Sequence, residues 1–139
     1  MTESASVDLD PAVFQGVVSA IGDGALHLAI PGSDYVLQLM IDEPMAVAVG
    51  DIVRGRAHAN ARRIDSISAG GRCIEPLQGR PRRVQGRVMS IDEVNDTITV
   101  LASIPIVCTT DPLQKAIQFK PNEMVSFDVA PGMTFEPVA

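Results

Sequence analysis

Two cysteines, two histidines and a block of arginines are the residues of this chain with chemistry to offer. Cys73 follows Gly70-Gly71-Arg72, where backbone amides and a guanidinium would favour a thiolate. A thiol nucleophile also needs a base within reach, and no pattern around Cys73 supplies one. Cys108, next to Val107 in an apolar run, reads as a small buried hydrophobe. His27 and His58 have no neighbouring His or Cys at metal-ligand spacing. His27 lies between Leu26 and Leu28 as an ordinary strand residue. Asp92, Glu93 and Asp96 surround a hairpin, where such residues favour the turn backbone; they lack the ligand spacing of a cation loop. Neither a GxxxxGK phosphate loop nor a GxGxxG fingerprint is present. These observations predict no enzyme, no metal and no cofactor.

The arginines stand out against this background. Residues 1–53 hold eight carboxylates and no Lys or Arg; residues 54–87 hold all nine arginines against Asp65 and Glu75; residues 88–139 hold Lys115 and Lys120 against seven carboxylates. The segment charges are therefore −8, +7 and −5, within a net charge of −6. Arg54 and Arg56 alternate with Val53, Gly55 and Ala57 and so share one strand face. Arg62 and Arg63 flank the next strand, Arg72 lies in the linker that follows, and Arg80, Arg82, Arg83 and Arg87 surround the entry to the second half. Guanidinium forks bind phosphate bidentately, so such a stripe could hold a nucleic-acid backbone. The competing expectation is that the arginines pair with the acidic segments, within the chain or between copies. Single-strand binders also use aromatic platforms, and this chain has no Trp, one Tyr and four Phe.

The elements that position these residues follow from composition and a repeat. A Val/Ile-rich, aromatic-poor chain with 11 Gly and 10 Pro favours short strands and tight turns. Phe14-Gln15-Gly16-Val17-Val18-Ser19-Ala20-Ile21 aligns with Val84-Gln85-Gly86-Arg87-Val88-Met89-Ser90-Ile91, sharing apolar-Gln-Gly-x-Val-x-x-Ile. Each copy leads through a turn into an alternating run: Leu26, Leu28 and Ile30, or Ile98, Val100 and Ala102. Farther on, Val49-Gly50-Asp51-Ile52-Val53 corresponds to Pro121-Asn122-Glu123-Met124-Val125. Period-two alternation predicts strands near 13–21, 25–30, 35–41, 51–58 and 61–67, and near 84–92, 97–102, 104–109, 123–130 and 133–138. Asp111-Pro112 predicts a short helix over 112–118. Residues 1–10 read as a disordered acidic N-terminus, 11–67 as a first barrel, 68–83 as a Gly/Pro/Arg-rich linker and 84–139 as a second barrel.

Five strands with a small helix or turn between the third and fourth resemble the OB-fold, and loosely the S1-like RNA-binding barrels. The resemblance rests on Gly16-x-Val18 with Gly50-Asp51-Ile52-Val53, and on Gly86-x-Val88. It implies an all-β chain of two internally duplicated five-stranded OB-like barrels, packed together because each is marginal alone. The expected function is a non-enzymatic interaction or assembly module, a homo-oligomer whose acidic and basic surfaces drive self-association or partner docking. The alternative is an OB-type single-stranded nucleic-acid binder using the arginine stripe. A third class, a small-ligand site between the barrels, rests only on the habit of ligands to lie at domain interfaces. No segment resembles a signal peptide or a membrane span, and two thiols suit a reducing interior, so a cytoplasmic location without membrane contact is expected.

Overall fold

The computed structural model describes residues 10–138; the acidic N-terminus lies outside them except for Asp10. The chain is all-β. Its strands are β1 (Phe14–Gly22), β2 (Ala25–Ala29), β3 (Val36–Met40), β4 (Ile52–Asn60), β5 (Asp65–Ser66) and β6 (Cys73–Glu75), followed by β7 (Gln78–Gly79), β8 (Arg83–Asp92), β9 (Thr97–Leu101), β10 (Pro105–Thr109), β11 (Met124–Asp128) and β12 (Thr134–Pro137). The helix expected over 112–118 is reduced to one 3-10 turn, Ala116–Gln118. Asp111 does not start an α-helix: its carboxylate accepts the Leu113 amide in a local turn. No helix forms around Glu43 to Val47.

Turn chemistry sets the first hairpin. Asp23 and Gly24 both have positive φ, 54° and 72°, the geometry that lets a two-residue loop follow the strand twist. The second hairpin is two residues longer. There the Asp92 carboxylate accepts the amides of Val94 and Asn95, and Asp96 takes the positive φ.

β1, β2, β3, β12 and β4 pair in that order, and β4 pairs back to β1, closing a five-stranded barrel. With β12 as its fifth strand this is compatible with an OB-like barrel. The register then recurs in the second half. Val17↔Ala29 and Val18↔Leu28 in β1–β2, with a bulge before Ala20↔His27, match Arg87↔Leu101 and Val88↔Val100 in β8–β9, with a bulge before Ser90↔Thr99. Gly16↔Val53 in β1–β4 likewise matches Gly86↔Val125 in β8–β11.

The halves do not each close on their own strands. β12, from the end of the chain, completes the first barrel. Residues 57–60 of β4 run parallel to β10, Ala61 bridges Val129, and β5 pairs with β11. Residues 57–66 thus stand to the second half as β12 stands to the first. No Gly or Pro interrupts residues 56–66, so the chain runs on into the other half instead of turning back. The expected strand over 61–67 shrinks to β5.

The interior follows the alternation. Leu26, Leu28, Leu37 and Leu39 are fully buried, as are Val84, Ile98, Val100 and Ile106, all in one continuous cluster. Phe135 of β12 packs edge-on against Phe14, ring centroids 5.8 Å apart, a pair that contributes about 1 kcal/mol beyond its buried area. Gly55 makes room for this seat, because a Cβ there would lie 2.3 Å from the Glu136 carbonyl oxygen and 2.5 Å from the Phe135 ring.

Candidate interaction surface

The outer face of β4 carries Arg54, Arg56 and His58, alternating with buried Val53, Gly55, Ala57 and Ala59. Arg56 and His58 are committed to partners. Arg56 donates from Nη2 to Asp10 at 2.5 Å and from Nε at 3.1 Å, and its Nη1 lies 3.5 Å from Glu136. His58 Nε2 sits 2.6 Å from the other Glu136 oxygen. The result is a line of alternating charge, Asp10–Arg56–Glu136–His58, across β4 and β12. Hydrogen bonding from His58, with the Arg56 charge beyond it, holds the Glu136 carboxyl below its ordinary value. The Ala12 amide and the Arg56 guanidinium do the same for Asp10. Arg54, on the same face, is engaged as well.

Three other arginines also have partners in the chain. Arg63 pairs with Asp65 at 3.1 Å. Arg83 bridges Asp128 at 3.2 Å and the Ser126 hydroxyl at 2.8 Å. Arg87 donates to the Asn122 carbonyl at 2.6 Å. Arg62, Arg72, Arg80 and Arg82 are exposed and make no ion pair among the described residues. Arg62 and Arg82 flank one point: the Arg62 amide donates to the Asp128 carbonyl, and the Val129 amide donates to the Arg82 carbonyl. The expected single stripe is therefore divided, with internal pairs on β4 and β8 and four unpaired guanidiniums around the linker and the end of β11.

Cys73 is half-buried on β6, opposite Gln85. Cys108 is fully buried, and desolvation raises its thiol pKa far above the ordinary range. His27 is half-buried on β2, opposite Ala20 and Gln38. Asp96 acts as a staple: its carboxylate accepts the Ala116 amide at 3.1 Å and pairs with Lys115 at 3.3 Å. Among the described residues, no group of three or more His, Cys, Asp or Glu is placed to hold a metal ion, and no helix is long and apolar enough to cross a membrane.

One surface feature escaped the sequence reading. Ile52 lies opposite Val17, Val17 opposite Ala29, and Ala29 opposite Val36. All four alternate with buried residues, so they form one apolar row on the outside of β4, β1, β2 and β3. Ile52 is 68% exposed, and the apolar row ends at Val36, because β7 sets Gln78 opposite it. The available signal was the doublet Val17-Val18, of which only one residue can face inward in a strand. No protein-family model and no curated protein matches the chain.

Proposed function

We propose that the chain is a non-enzymatic interaction module, built from two duplicated OB-like barrels, that assembles with copies of itself. The repeated register and bulge support the duplication. The observation that carries the function is the outward row Ile52–Val17–Ala29–Val36, an apolar line on a small barrel whose β4 charges are already engaged within the chain. Ile52 is exposed while Val17, Ala29 and Val36 are half-buried, and apolar side chains aligned on an outer face around one exposed member suit an association site. Both cysteines are unlinked, in keeping with work in a reducing cytoplasm.

Light scattering tests the proposal. The wild type is expected to be at least a dimer and to remain one in about 1 M salt, where the Debye length is about 3 Å. Ile52→Asp is expected to be monomeric with an unchanged circular dichroism spectrum, since Ile52 is exposed and its removal empties no core position. A monomeric wild type, or an Ile52→Asp variant as associated as the parent, refutes it. The second reading, binding of a single-stranded nucleic-acid backbone, is favoured by Arg62, Arg72, Arg80 and Arg82, which are exposed and make no ion pair among the described residues. On that reading, protein purified at low salt carries material absorbing at 260 nm that a high-salt wash removes, and Arg62→Ala with Arg82→Ala weakens binding evenly across sequences.

A further inference from the structure

The segments that lead into β4 and β11 end in the same backbone bonds but pack differently before them. The Gly50 amide donates to the Val18 carbonyl and the Val18 amide to that of Asp51, as Asn122 does to Val88 and Val88 to Glu123. In the second half the preceding loop lies down on the strands. Its 3-10 turn packs against β8, Ala116 is fully buried and Phe119 is 5% exposed, and the Ala116 amide is held by the Asp96 carboxylate of the β8–β9 hairpin. Ile91, near the end of β8, is packed against the core.

The loop of the first half is too short to do the same. Residues 41–51 number eleven where residues 110–123 number fourteen, and no helical turn forms among them. Counted back from the shared bonds, Val47 stands in the place of Phe119 and Pro44 in that of Ala116; Val47 is half-buried and Pro44 exposed. Ile21, the counterpart of Ile91 in the repeat, is left 47% exposed. A hollow of about 330 Å3 lies between this loop and the β1–β2 hairpin. Its lining is mainly apolar, from Ile21, Ala25, Ile41 and Met45, with Asp42 and Glu43 beside them. Both acidic residues are exposed, and among the described residues their carboxylates accept no hydrogen bond and form no ion pair.

We propose that this hollow binds a small organic cation with an apolar body, an alkyl- or arylammonium. Its hydrocarbon part takes the place of the cover that Ala116 and Phe119 give the second half, and its ammonium lies against Asp42 and Glu43. The volume is in the range of small-ligand sites, which favour the mouths of β-barrels. The Met45 thioether adapts to the shape of what it meets and favours aromatic rings. Residues 1–53 carry no Lys or Arg, so the field around the hollow draws cations and repels anions. The site goes beyond self-association and does not rest on it, because Ile52, Val17, Ala29 and Val36 are not in its lining.

The test titrates the full chain, labelled with 15N, with 2-phenylethylammonium chloride, with 2-phenylethanol as its neutral counterpart and with phenylacetate as the anionic one. So small a probe is expected to bind with Kd about 1 mM. It should shift the amides of Gly22, Gly24, Ile41 and Met45 and leave those of residues 92–96 and 116–119, at the covered end of the second half, in place. The alcohol should bind about fivefold more weakly, which is what one exposed charge contact contributes, and phenylacetate more weakly still. Asp42→Asn with Glu43→Gln should bring the ammonium down to the affinity of the alcohol and leave the alcohol unchanged, a pattern that a merely loosened loop would not give. The titration is repeated on Ile52→Asp, so that failure of the apolar row and failure of this site are read separately. The proposal is overturned if residues 21–25 and 41–45 do not respond, if the three probes bind alike, or if the double variant binds the ammonium as tightly as the parent.

Discussion

Gly16 and Gly86 occupy the same place in the repeat, yet alanine should be tolerated at one and not at the other. A Cβ on Gly86 would lie 2.4 Å from the Leu101 carbonyl oxygen and 2.8 Å from Val100 Cγ1. Ordinary carbon–oxygen contact is about 3.3 Å, so β9 would have to retreat by roughly 1 Å in an interior without slack. Overpacking of that order costs about 3 kcal/mol, and the stiffer unfolded chain returns only about 0.5–1 kcal/mol. The net loss is then about 2 kcal/mol. At about 2.1 cal/mol/K per residue, the 139-residue chain has an unfolding entropy near 0.3 kcal/mol/K, so Gly86→Ala should lower Tm by about 7 °C. A Cβ on Gly16 would meet only the Leu28 side chain, at 3.1 Å. The atom met is Leu28 Cβ, which moves only with its own backbone, yet a shift of β2 by a few tenths of an ångström relieves it, so Gly16→Ala should shift Tm by less than about 2 °C. Scanning calorimetry of both variants settles the matter. Equal shifts, or a Gly86→Ala protein as stable as the parent, would refute the argument that β8 and β9 approach too closely for a side chain.

Acid should weaken the seat of β12. The Glu136 carboxyl is held below its ordinary value of 4.5 by His58 and Arg56. Its contribution is therefore fully present above about pH 4.5 and is lost as pH falls through the lowered value. Glu136→Gln should flatten that acid limb in urea unfolding followed from pH 6 to pH 3 (about three pH units, spanning the carboxylate range); an unchanged limb would contradict the pairing. The thiols should separate by access. Cys108 is fully buried with a raised pKa and Cys73 is half-buried, so brief alkylation of the native protein should add one label, at Cys73. Labelling of Cys108 at a comparable rate would show that β10 opens readily.

Much of the fold was legible because period-two alternation reports strand faces directly. Leu26, Leu28, Leu37 and Leu39 all face inward as their spacing required, and the apolar-Gln-Gly motif marked two strands with the same register and bulge. That β12 closes the first barrel, and that residues 57–66 pair into the second half, was not legible. Alternation fixes which face of a strand is buried but not which neighbour covers it, and residues 61–67 and 133–138 alternate equally well in either half of the chain. The helix over 112–118 failed because Asp111 and Gln114 serve other bonds: Gln114 clamps both backbone groups of Ile64 through its side chain, holding the loop open. The arginine stripe on β4 was legible as a face but not as a set of pairs, since Asp10 and Glu136 are 46 and 80 residues from Arg56 in the chain.

Segregated charge and the return of β12 to the first half are connected. A positive segment between two negative ones can be neutralised within one chain only if both ends return to it. The pairing brings them back: β12 carries Glu136 to Arg56 and His58, β11 carries Asp128 to Arg83, and Asp10 reaches Arg56 from the start of the chain. These side chains are between 29% and 62% exposed, so each pair contributes little to stability. Their effect falls on pairing choice instead. With β12 on β4, Glu136 faces Arg56 directly across the strands, whereas slipping the strand by one residue would turn Glu136 inward and Phe135 outward. The apolar seat of Phe135 on Phe14 supplies the affinity of β12 for the first barrel, and the Arg56–Glu136–His58 line fixes its register.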